Sequence, residues 1–123
     1  MEVNRENVKK WVAALRSGDY KQATNQLRLR NSFCCLGVAC DISKVGEWKD
    51  NNRYVCTFED GYPDSNRDLE LPPKVLDWLG MSDPDPIIDM INNSYLNCSC
   101  ANDIKGWDFD KIADAIEKYY LSD

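Results

Sequence analysis

Apolar residues recur along the chain at helical spacing in some segments and alternate in others, and each spacing predicts an element. Val8, Trp11, Val12 and Leu15 share one helical face; Asn4 is suited to cap the start and Gly18 to stop the end, so a helix is expected over 5–17. Gln26-Leu27-Arg28-Leu29-Arg30 alternates and reads as a short extended strand. From Asn31 to Ile42 the chain is apolar nearly all round and rich in small side chains. This predicts a central buried helix over 32–43, in which Gly37 and Ala39 let neighbours approach closely. A buried strand is the competing reading for so short a run.

Residues 44–70 have the composition of loop and hairpin. Tyr54-Val55-Cys56-Thr57-Phe58 is strand-like, and Asp60-Gly61 is a turn signal. Leu71-Pro72-Pro73 opens a helix carrying Val75, Leu76, Trp78 and Leu79, which Gly80 ends. Asp85-Pro86 opens another, with Ile87, Ile88, Met90 and Ile91 inward, and 92–106 follows as a polar loop holding Cys98-Ser99-Cys100. In the last helix Asp108 is the N-cap, Trp107 packs on Ile112 as a staple, and Phe109, Ile112, Ile116 and Tyr119 turn inward. The expected fold is a single domain over 1–123, mainly α. It is a compact bundle of about five helices around a buried central helix, with a minor β-hairpin.

Composition adds limits. At 123 residues and 43% hydrophobic content the chain has the length for one real core. No apolar run approaches the roughly 18 residues that span a bilayer, and the polar start is not a secretory signal, so a cytoplasmic location is expected. In that reducing compartment the six cysteines read as free thiols or a metal site. The net charge of −6 is uneven: residues 1–30 carry a balance of +4 and residues 31–123 a balance of −10. An acidic body argues against general nucleic-acid binding and permits docking on a basic protein surface.

The absence of histidine removes the commonest general base. Cys34 and Cys35 at a helix start invite comparison with thiol nucleophiles, but they lack that base and sit among apolar residues that raise a thiol pKa, so they read as buried structural thiols. A zinc ion held by Cys35, Cys40, Cys98 and Cys100, or with Cys34, is a weaker alternative, because the spacings miss the usual two-residue pattern. Asp64, Asn66, Asp68 and Glu70 alternate as a calcium loop begins, but Leu69 and Val75 stand where its glycine and closing glutamate belong, so a solvated acidic loop is the better reading. Carboxylate spacing singles out no acid–base pair. Trp11 and Trp78 read as core and Trp48 as exposed.

The most suggestive polar stretch runs from Tyr20 to Ser32. Lys21, Gln22, Arg28 and Arg30 would contact an anion, Ser32 would cap the site at the helix start, and Tyr20 would stack on a base. The ligand expected there is small, phosphorylated and nucleotide-like. The plainer alternative is a solvated connector whose cations pair with the acidic body.

Four segments resemble a widespread family of small proteins encoded by tailed phages and prophages. They are Lys10–Gln22 around Trp11-Val12-Ala13-Ala14-Leu15, then Phe33-Cys34-Cys35-Leu36-Gly37-Val38-Ala39-Cys40-Asp41, then Leu71–Gly80, and finally Phe109–Glu117. The paired cysteines before Leu36-Gly37-Val38 are the most specific element, and the cysteine-bearing stretch at 92–107 departs from the pattern. The resemblance brings no mechanism. It implies an accessory protein that counters host defence without catalysis, by sequestering a phosphorylated signal or by occluding a basic host protein.

Overall fold

A computed structural model describes residues 3–50, 52–56 and 70–122. Helix α1 spans Arg5–Arg16, and the Asn4 side chain accepts the Asn7 N–H to close its first turn. Three short strands follow: β1 (Lys21–Gln22), β2 (Arg28–Leu29) and β3 (Ser32–Phe33). They form one sheet in the order β1-β3-β2, with β1 parallel and β2 antiparallel to β3. Helix α2 (Cys35–Ser43) leaves this sheet directly, and its first six residues are all buried. A second sheet pairs β4 (Glu47–Lys49) with β5 (Arg53–Val55). Helix α3 (Pro73–Leu79) ends at Gly80, whose φ of +73° makes the left-handed turn that glycine favours. The chain closes with the hairpin β6 (Ile87–Ile91) and β7 (Ser94–Asn97), helix α4 (Cys98–Asp103), helix α5 (Phe109–Ile116) and a π-helical turn at Glu117–Leu121.

The expected mainly-α bundle with a minor hairpin is corrected to an α+β fold: among the described residues five helices stand beside three small sheets. Two segments carry the difference. Residues 85–91, expected as a helix, form strand β6, and the expected polar loop at 92–106 contains β7 and α4. The apolar pattern of 87–91 fits a helical stripe and a short strand equally well. What decides is the tip: Asn92 and Asn93 have φ of +52° and +65°, as a two-residue type I′ hairpin turn requires. The central helix also starts later than expected, at Cys35 rather than Ser32, because Ser32 and Phe33 pair with both flanking strands. The Thr57–Phe58 end of the expected strand and the Asp60-Gly61 turn lie outside the described residues.

The buried apolar side chains form one cluster around α2, drawing Trp11 and Leu15 from α1, Val75 and Leu79 from α3, and Ile112 and Ile116 from α5. Trp11 is buried, and its indole N–H donates to the Cys35 carbonyl at 2.9 Å, which satisfies the one polar atom it brings inside. Among the described residues no helix is long and apolar enough to cross a membrane.

Gly37 earns its place by contact. A Cβ built on it would lie 1.8 Å from the Leu27 carbonyl oxygen, so backbone meets backbone there. Gly37→Ala is expected to destabilise the protein by about 3 kcal/mol or more, read as a lowered urea midpoint. An unchanged midpoint would mean that Leu27 does not lie against the helix.

Candidate binding face

The residues predicted to hold an anion do not assemble around one. Lys21 pairs with Ser32 and Arg28 with Phe33, and because consecutive residues alternate, Lys21 and Arg28 project from opposite faces of the small sheet. Arg30 sits in the following turn with φ of +56° and is exposed. The Gln22 amide donates to Asn102 Oδ1 at 2.8 Å and to the Trp107 carbonyl at 2.7 Å. Tyr20 donates its hydroxyl to Asp41 at 2.6 Å and packs edge-on against Phe33, and burial pushes its pKa up. Ser32 is a strand residue and caps nothing; the N-cap of α2 is Cys34.

The amino end of α2 is likewise filled from within. The Cys35 N–H donates to Asn102 Oδ1 at 3.3 Å, the Cys34 N–H to the Leu27 carbonyl at 3.0 Å, and the Gly37 N–H to Cys34 Sγ at 3.4 Å. Asn102 is the one buried polar side chain among the described residues. Its amide nitrogen donates to the Ala23 carbonyl at 2.8 Å and to Asp103 Oδ1 at 2.7 Å, so both ends of the amide are used. Sequence reading placed Asn102 in a polar loop and missed it.

Arg28 has a different neighbourhood from the one expected. Its guanidinium lies 4.8 Å from the Phe33 ring centroid and 5.3 Å from that of Trp48, with Nε donating to the Arg30 carbonyl at 2.5 Å. Trp48, expected to be exposed, is half-buried: its N–H donates to Asp41 at 3.0 Å and its ring packs edge-on between Phe33 and Tyr54. Trp78, read as core, is also only half-buried.

Of the six thiols, five are buried and Cys100 is half-buried. Burial is the first cause that pushes Cys34, Cys40 and Cys98 up; for Cys35 the first is its hydrogen bond with Cys98, then burial. Raised thiols stay protonated and are poor nucleophiles. Cys35 and Cys98 meet across the core, yet no three metal-binding side chains converge among the described residues, so Cys35, Cys40, Cys98 and Cys100 form no zinc cage. Asp64, Asn66 and Asp68 of the rejected calcium pattern lie outside the described residues.

Another face of the molecule was not predicted. On the β6–β7 hairpin, Met90 and Tyr95 are cross-strand partners and remain 55% and 65% exposed. The base of the same hairpin is tied to the carboxyl end, where the Tyr120 hydroxyl donates to the Ile87 carbonyl at 2.6 Å. Tyr119, expected inward, is 46% exposed because the π-turn breaks the helical phase after Ile116. A cavity of about 460 Å³ is lined by Val3, Ser82, Asp83, Ile87, Tyr119 and Tyr120, and one of about 240 Å³ by Ile88, Asp89, Ala115, Lys118 and Tyr119. Between Val75 and Ile104 the chain holds five acidic residues and no basic one; in space Lys118, from the closing coil, stands beside Asp89 of β6.

Residues 3–120 match the model of a family described as a domain of unknown function, DUF8296, and the chain belongs to that family. No curated protein and no solved structure matches it.

Native alkylation with an iodoacetamide reagent at neutral pH is expected to give a single fast adduct, at Cys100. The other five thiols are expected to react only after denaturation. Peptide mass mapping checks this, and fast labelling of Cys34 or Cys35 would contradict their burial.

Proposed function

We propose that this chain is a non-catalytic accessory protein of phage type that acts in the host cytoplasm by docking on a basic host protein. The supporting observation is the exposed Met90–Tyr95 pair on a hairpin that belongs to a stretch, Val75 to Ile104, with five acidic residues and no basic one. Methionine and tyrosine suit an interface core, where they bury large area at little loss of rotamer freedom, and a surrounding negative field steers a positive partner. The overall charge of −6 acts in the same direction. Raised, buried thiols and the lack of histidine favour binding over thiol or imidazole chemistry. Resemblance to small phage proteins supports the host-directed role.

In bacteria that carry a defence system, expression of the chain is expected to raise phage plating, and Met90→Asp with Tyr95→Asp to reduce that gain by about tenfold or more. The thermal midpoint should stay close to that of the parent, because both side chains are exposed. A photo-crosslinker at position 95 identifies the protein touched. Full activity in the double variant would overturn the reading.

One observation supports a second reading, sequestration of a phosphorylated nucleotide. The Arg28 guanidinium lies close to both the Phe33 and Trp48 rings with Nε engaged, and its two terminal nitrogens have no hydrogen-bond partner among the described residues. Such an edge suits a phosphate. On this reading a panel of nucleoside phosphates raises the thermal midpoint of the parent and not of Arg28→Ala. No rise with the parent protein removes it.

A further inference from the structure

The larger cavity beside the hairpin combines aromatic and aliphatic walls with one carboxylate. Tyr119 and Tyr120 place their ring centroids 4.9 Å apart at 64°, so the two faces are inclined to one another. Val3 and Ile87 add apolar surface, and Asp83 contributes the single charged group of the lining. One Asp83 oxygen accepts the Asp85 N–H at 3.0 Å; among the described residues the other has no hydrogen-bond partner. The Tyr120 hydroxyl is committed to the Ile87 carbonyl; the rings, the Asp83 carboxylate and the Ser82 hydroxyl are the remaining recognition elements.

We infer that this cavity receives a lysine or arginine side chain of the partner protein, its aliphatic stem against Val3 and Ile87, its cationic head between Asp83 and the tyrosine rings. Aromatic faces attract a cation through the ring quadrupole, and a carboxylate at the rim gives the head an ion pair. The volume of about 460 Å³ is ample for one such side chain. The field in the cavity has the matching sign, since the one charged side chain of its lining is the Asp83 carboxylate. The smaller cavity on the other side of Tyr119 is a poorer host, since Lys118 lies in its lining beside Asp89. Ile87 lies three residues from Met90, roughly 10 Å along a strand, so a single basic segment spans both places.

This inference rests on the protein-docking reading, and its test is arranged to fail separately. N-acetyl-arginine amide and N-acetyl-lysine amide are titrated into the intact protein while the ring signals of Tyr119 and Tyr120 are followed by NMR. N-acetyl-citrulline amide, which keeps the arginine shape without its charge, is the control. Saturable shifts with the cationic amides, weaker by about tenfold in Asp83→Asn and in Tyr119→Leu, are expected. Asparagine keeps the oxygen that accepts from Asp85, so the turn is preserved. The Met90→Asp, Tyr95→Asp protein should show the same shifts as the parent, because neither side chain lines the cavity. Equal response to citrulline, or undiminished binding in Asp83→Asn, overturns the cation site and leaves the hairpin reading standing. Host-protein binding that survives the hairpin substitutions overturns the hairpin reading alone.

Discussion

Asn102 is the constraint around which the rest is arranged. A helix that begins inside a core carries backbone N–H groups that water cannot reach, and each one left bare is expensive. Here the carboxamide of a residue 67 positions away receives the Cys35 N–H, while its nitrogen reaches back to the Ala23 carbonyl after β1. One side chain thus joins α4 to α2 and to the first small sheet. The Leu27 carbonyl closes the Cys34 N–H, and its close passage past α2 is possible only because position 37 lacks a side chain. Together these contacts fix where the helix starts and leave no vacancy for a ligand at its end. An amino terminus that looked open in sequence is closed in three dimensions by residues distant along the chain.

Arg28 belongs to the same region but obeys a different logic. It is held by ring faces and a backbone carbonyl, so its charge rests on the outside of an aromatic cluster whose polar edges converge on Asp41. Tyr20, Phe33, Trp48 and Tyr54 form a continuous edge-to-face series that ties the first sheet to the second. Such a cluster explains an arginine beside a short strand without any ligand, and it accounts for Trp48 being half-covered in a polar stretch.

The elements with local signals were legible in the sequence. The helix from Arg5, its Asn4 cap, the Gly80 stop and the Asp108 cap each depend on neighbours within four residues, and all stand as expected. Burial of the segment around Leu36 was legible too, since a stretch apolar on every side has nowhere else to go. What escaped depends on pairing. Ile87–Ile91 is a strand because Ser94–Asn97 folds back on it, and the paired asparagines at 92 and 93 were the signal that a helical stripe overrode. The cluster of cations was legible as composition but not as geometry: register, which sequence does not print, sends Lys21 and Arg28 to different faces. The exposed face was hidden by its own signatures: Met90 and Tyr119 both sit in helical stripes, and only the β6–β7 pairing and the π-turn bring them to the surface.

That end of the chain makes its length critical. After Ile116 the backbone opens by one residue per turn, so Tyr119 no longer follows Phe109, Ile112 and Ile116 into the core. Arg16 clasps Asp114 and Glu117 on one side of the junction, and Arg5 holds the Leu121 carbonyl on the other, which pins both flanks of the wider coil. Losing a single residue between 117 and 121 would therefore act as a rotation rather than a shortening. The ordinary helical phase would resume, and the aromatic wall beside the hairpin would be re-aimed about the helix axis.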